Sequence, residues 1–134
     1  MMPQEAKLEL KSYRDNLRKI AARAVRVKAL KEEMQNIRIA TYGERFGNNP
    51  DRIEEIMDKI NLLQLEHSEA LWAAEKANMT IHNKLEKLRS PYLEILQDIY
   101  IAGKSYEQVA VNRHYTYESV KVIVYRGIRK YANL

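Results

Sequence analysis

Ser105-Tyr106-Glu107-Gln108-Val109-Ala110 and, just beyond it, Asn112-Arg113-His114-Tyr115-Thr116 decide the fold. Serine with glutamine three positions later is a capping box. The hydroxyl takes an orphan amide of the first turn, and the glutamine reaches back to the serine amide. Val109 and Ala110 are then the buried pair of a short helix. Residues 112–115 make a tight connection, and Thr116 caps a last helix with Val120, Ile123, Val124, Ile128 and Tyr131 turned inward. Upstream, Leu93, Leu96, Ile99 and Tyr100 set one apolar face, which Ala102-Gly103-Lys104 breaks. Three short helices with a tight turn before the last hold a helix out for the DNA major groove.

Outward from this segment, the chain before Pro91 carries two long helical patterns. In the first, Leu10, Tyr13, Leu17, Ile20, Ala24, Val27, Lys31, Met34 and Ile37 step by threes and fours, and Leu30 can fill the seam beside Lys31. In the second, Ile53, Ile56, Ile60, Leu63, His67, Ala70, Ala74, Ala77, Ile81 and Leu85 do the same. Such spacing predicts coiled-coil seams on helices of about 35 residues, roughly 50 Å each. Between them, residues 41–50 contain Gly43 and Gly47, and Asn49-Pro50-Asp51 is a helix start of cap, proline and acid. Two equal helices about a short turn predict an antiparallel hairpin. Ser90-Pro91 ends the second helix, serine capping and proline leading into the next domain. The expected architecture is all-α, a coiled-coil-like hairpin over 1–89 followed by a three-helix helix-turn-helix domain over 90–134.

Each long helix has a second apolar stripe outside its seam. Leu62, Leu65, Leu71, Trp72 and Ala73 lie on one helix, and Ala21, Ala22, Val25, Ala29 and Ile39 on the other. One antiparallel partner cannot cover both stripes. Exposed apolar strips mark interfaces, so two hairpins are expected to pair as a homodimer through Leu62, Leu65, Leu71 and Trp72. The alternative is that the C-terminal domain folds back over the strip.

The chain has 134 residues, 46% of them hydrophobic, enough for one packed domain or a small domain with a helical arm. Without cysteine there is no disulfide, thiolate metal site or cysteine nucleophile. No apolar signal core or membrane-length run is present, so a soluble protein in the cytoplasm of a bacterial host cell is expected. The net charge of +5 is uneven. Residues 1–46 hold 11 Lys and Arg against 6 Asp and Glu, residues 47–90 hold 6 against 8, and residues 91–134 hold 6 against 4. A basic balance suits nucleic acid, where phosphate neutralisation supplies non-specific affinity. Long solvated helices also carry many lysines and arginines for no such purpose.

Catalysis is not expected. His67, Ser68 and Glu69 are neighbours on a helix, point apart and cannot form a relay. His67 lies on the seam as a polar register-setting residue, and it stands about four turns from His82, too far for shared metal ligation. The four glycines fall in separate turns and the last helix, so no phosphate loop exists. No metal, cofactor or small-molecule substrate is implied.

Residues 100–105, Val109-Ala110, Tyr115-Thr116, Val120, Ile123, Ile128 and Tyr131 resemble domain 4 of bacterial primary sigma factors, the part that reads the promoter −35 element. Among small proteins with this module, the chain is similar to the ArpU/RinA-type phage transcriptional regulators of Gram-positive hosts. The resemblance covers about a third of the chain, and three positions depart from it. Arg113 stands where an apolar residue usually closes the second helix and His114 where glycine often makes the turn. Gly127 replaces alanine at a cost of about 1 kcal/mol.

The resemblance implies base readout by Glu118, Lys121 and Val122, toward cytosine, guanine and thymine respectively. Tyr117 and Tyr125, on the same outward side, can touch phosphates or thymine methyls, while Tyr100, Tyr115 and Tyr131 are expected in the core. Lys104, Arg113, Thr116, Arg126, Arg129 and Lys130 are expected at phosphates, which position without specifying. The expected function is a DNA-binding transcriptional regulator of double-stranded DNA. Two alternatives stand beside it: a phage DNA-packaging small subunit, in which the helix-turn-helix usually precedes the hairpin, and an adaptor to RNA polymerase or a sigma factor.

Overall fold

The computed structural model describes residues 1–42 and 50–134, with side chains described outside 38–51. Every regular element among them is helical: α1 (Pro3–Tyr42), α2 (Pro50–Glu86), α3 (Tyr92–Leu96), a π-helical turn (Gln97–Ile101), α4 (Tyr106–Arg113) and α5 (Tyr117–Ala132). The chain is all-α. The connection expected around Gly43 and Gly47, the Asn49 cap and the Ile39 side chain lie outside the described residues. Helix α2 begins at Pro50, whose fixed φ and missing N–H suit a first helical position.

The chain divides into two compact units, Met1–Leu17 with Glu75–Leu134, and Arg18–Ala74. In the first, α3, α4 and α5 are too small to bury a core by themselves. The start of α1 and the end of α2 complete it: Ala6, Leu10, Ile81 and Leu85 join Ile95, Leu96, Val109, Val120, Val124 and Tyr131 in one buried cluster. Polar ties fix the register of these helix ends. Lys84 Nζ donates to both carboxylate oxygens of Glu9 at 3.1 Å. Asn16 Nδ2 donates to Asn78 Oδ1 at 2.9 Å, and Asn78 Nδ2 donates to the Tyr13 carbonyl at 3.2 Å.

Asn78 also corrects the expected seam. It is buried where Ala77 is exposed, and Ala74, Asn78, Ile81 and Leu85 carry the four-three-four spacing here. Its two side-chain hydrogen bonds satisfy the amide that burial strips of water. Leu30 is 2% exposed while Lys31 is exposed, so the leucine fills that position of the α1 seam.

Close approach explains two glycines. Gly103 has φ 74°, and the space its Cβ would occupy holds the Arg14 guanidinium. Gly127 is buried in α5, where a Cβ would lie 3.1 Å from Leu96 Cδ1. Its presence in place of alanine lets α3 and α5 approach. Ser90, by contrast, does not cap α3. Pro91 holds the N-cap position without a side-chain bond, and the Ser90 hydroxyl donates to the Glu94 carboxylate instead. That hydrogen bond holds the Glu94 carboxyl below its ordinary range.

The second unit, Arg18–Ala74, is built from one length of α1 and one of α2. Leu30, Met34 and Ile60 form its buried cluster, with Ile37 and Met57 packed against it. His67 Nδ1 accepts from Arg23 Nη1 at 2.6 Å, a polar tie between the two helices. Leu62, Leu65 and Trp72 are 58%, 56% and 63% exposed, Val25 is exposed as well, and Leu71 is half-buried. The C-terminal helices belong to the other compact unit.

Candidate nucleic-acid interface

The geometry of α4, its turn and α5 follows from local hydrogen-bond chemistry. Gln108 N–H donates to Ser105 Oγ at 3.2 Å and Ser105 N–H to Gln108 Oε1 at 2.9 Å, closing the capping box. At the other end, His114 is the C-cap with φ 59° and ψ 39°. Left-handed backbone costs a non-glycine residue about 1–2 kcal/mol. Tyr115 N–H donates to the Ala110 carbonyl at 2.9 Å, satisfying one of the last carbonyls of α4. Helix α4 thus runs through Asn112 and Arg113, and the connection shortens to His114-Tyr115-Thr116. Ser119 N–H donates to Thr116 Oγ1 at 3.1 Å to start α5.

These bonds account for Thr116 and Arg113. The Thr116 hydroxyl accepts from the Ser119 amide and donates to Ser119 Oγ at 2.8 Å, so its capacity is used within the cap. Arg113 Nε donates to Asp98 Oδ2 at 2.5 Å and Nη2 to Oδ1 at 3.2 Å, a fork that ties α4 to the π-helical turn. The Asp98 side chain is 13% exposed, so the fork is anchored in the protein rather than held out to solvent. Lys104 Nζ stands 3.9 Å from the same carboxylate. The polar Arg113, standing where an apolar residue was expected, closes the helix by this bond.

On α5, Val120, Val124, Gly127, Ile128 and Tyr131 face the core. Helical periodicity turns Glu118, Val122, Tyr125, Arg126 and Arg129 to the opposite side, and all five are exposed. The Glu118 side chain is 81% exposed. Arg126, expected at phosphate, thus shares this exposed face with Glu118 and Val122, which were expected at bases. The signal was legible, since it follows Val122 by four residues. Tyr115, Glu118, Ser119, Val122, Ile123 and Arg126 also line a shallow cleft on this side. Tyr115 itself, expected in the core, is 39% exposed. It sits in the short turn between the His114 C-cap of α4 and the Thr116 N-cap of α5.

Tyr117 and Lys121 lie on the flank of α5 that faces α4. The Tyr117 ring is 6.1 Å from that of Tyr106, tilted by 52°. Lys121 Nζ stands 4.6 Å from the Tyr117 ring and 3.9 Å from Glu118 Oε1. Arg129 lies 5.6 Å from the Tyr125 ring and Lys130 5.2 Å from the Tyr92 ring. Aromatic faces attract these cations while leaving their donors free for an anion. Beneath this surface, burial pushes the Tyr100 phenol up to about 12, and the neighbouring Tyr106 charge acts the same way.

Among the described residues, no group of three or more His, Asp or Glu could hold a metal ion. No described helix is long and apolar enough to cross a membrane. The chain matches no protein-family model, no curated protein and no solved structure.

Proposed function

We propose that the chain is a DNA-binding transcriptional regulator of phage type, in which α4, the His114 turn and α5 act as a helix-turn-helix and α5 reads the major groove. The observation that supports this is the outward face of α5. Val122, Tyr125, Arg126 and Arg129 stand exposed together beyond a turn fixed by two caps. Glu118 and Val122 contact base edges with Arg126 and, from the flank, Tyr117 and Lys121. Arg129 and Lys130 contact phosphates. Lys104 and Arg113 serve chiefly to fix the turn through Asp98 and Thr116 to cap α5.

In this reading the long helices form an antiparallel hairpin, and Leu62, Leu65, Leu71 and Trp72 pair it with a second copy. Unsatisfied apolar area on Arg18–Ala74 supports that pairing. The same strip would serve a ring of a DNA-packaging small subunit. Mass in solution separates the two, because a dimer fits regulation and eight or more subunits fit packaging.

The test is fluorescence anisotropy on duplexes selected from random sequence, read across a salt series. Arg129→Ala is expected to weaken all duplexes alike and lower the salt slope by about one. Lys121→Ala is expected to cost about 1–3 kcal/mol on the selected site and relax its sequence preference. Absence of salt-dependent duplex binding would overturn the reading.

A further inference from the structure

Beside the outward face of α5 lies a groove of about 370 Å³ that duplex binding alone does not explain. Its apolar lining is Val124 and Ile128 of α5, with the rings of Tyr106 and Tyr125. Three cations, Lys7 from the start of α1 with Lys121 and Arg129, share the groove, and no Asp or Glu lines it. Glu118, outside the lining, stands 3.9 Å from Lys121. Arg129 rests against the Tyr125 ring rather than a carboxylate.

Groove size, lining and charge narrow what fits. Small-ligand sites run to about 300–1,000 Å³, mostly apolar with a few placed polar groups. A bare phosphate would use the cations and leave the apolar lining wet. A neutral hydrocarbon would use the lining and leave the three lining cations unused. We infer that the groove binds a small apolar carboxylate, an aromatic or short acyl body carrying one anionic group. The body lies on Val124 and Ile128 and the carboxylate accepts from Lys7, Lys121 or Arg129. Lys121 and Arg129 are shared with the proposed DNA face, so occupation opposes duplex binding. That consequence rests on the DNA-binding reading; the site itself does not.

The probe is octanoate, titrated into the methyl-labelled full chain without DNA, with octan-1-ol and octylamine as neutral and cationic counterparts. Octanoate is expected to shift the Val124 and Ile128 methyls saturably. Octylamine is expected to bind about fivefold more weakly or worse, the factor that an exposed charge contributes. Lys7→Glu, outside the proposed DNA contacts, is expected to weaken octanoate by a similar factor of about five with helix content unchanged. Equal affinity for the three head groups, or no saturation up to roughly 10 mM, overturns the site. So do shifts confined to the surroundings of Leu65 and Trp72. In a second arm, octanoate is expected to raise the duplex dissociation constant of the unmodified chain more than that of Lys7→Glu. Binding in the groove without that competition overturns the coupling. Failure to bind any duplex overturns the DNA-binding reading, and the methyl shifts then decide the groove alone.

Discussion

Helices α1 and α2 contribute to both compact units, yet the described apolar residues of the two units are buried to very different degrees. Among the described residues, fifteen close into one cluster in Met1–Leu17 with Glu75–Leu134, whereas Leu30, Met34 and Ile60 form that of Arg18–Ala74. The cause is geometric. Two helices meet along a single line of side chains, and everything off that line faces water. Where α3, α4 and α5 pack against the helix ends, Leu10 and Leu85 reach 0% exposure. Leu62, Leu65 and Trp72, at similar apolarity, remain more than half exposed. One unit closes its described apolar residues into a core, and the other leaves an apolar strip exposed, the strip proposed above to pair with a second copy.

The largest expected effect tests the first half of that contrast. Leu10→Ala removes a side chain far in sequence from α5 but in the same cluster. It is expected to cost about 2–5 kcal/mol in urea unfolding, with loss of amide protection in α5. An α5 that keeps its protection would show that the C-terminal helices do not depend on α1. Next comes the proposed partner surface. Leu65→Glu with Trp72→Glu is expected to convert a dimer into folded monomers, weakening association by about 2 kcal/mol or more. If light scattering finds the unmodified protein monomeric at tens of micromolar, the exposed strip is no dimer interface.

The same contrast explains what the sequence made legible. The Ser105–Gln108 box and the Thr116 cap depend on residues three apart, so local pattern reveals them. The core face of α5 follows equally from its period. The division at 89/90 follows helix punctuation, but burial joins Ala6 and Leu10 to Val120 and Tyr131 across more than a hundred positions, and no local signal carries that. Asn78 was missed for a related reason. Burying an amide is costly until Asn16 and the Tyr13 carbonyl, over sixty residues away, supply its bonds. At the site, Arg113 carried its charge openly, but Asp98 became its partner only once the π-helical turn faced α4.

A pair of arginines sharpens the division between structure and surface within the first unit. Arg126→Ala is expected to cost about 1–3 kcal/mol on a selected duplex and leave the unfolding midpoint unchanged. Arg113→Ala should do the reverse. Removing the fork leaves Asp98 with Lys104 at 3.9 Å, lowering stability by about 1–3 kcal/mol without altering sequence preference. Equal losses of duplex binding from both would place Arg113 on the DNA instead.

The smallest effect probes how tightly α3 sits on α5. Gly127→Ala brings the intrinsic helix preference of alanine, about 1 kcal/mol. Against this, the new Cβ would stand 3.1 Å from Leu96 Cδ1 and 3.5 Å from Tyr92 Cδ1. Leu96 is itself 0% exposed, so it cannot swing into solvent and must shift within a filled core. Crowding of this kind costs about 1–3 kcal/mol when it forces side chains off their rotamers. The crowding term offsets or exceeds the gain, and the expected change in unfolding free energy is zero to about 2 kcal/mol of destabilisation. A full gain of about 1 kcal/mol would mean that Leu96 yields freely. The contact between α3 and α5 would then be looser than its burial implies, and the contrast between the two units correspondingly weaker.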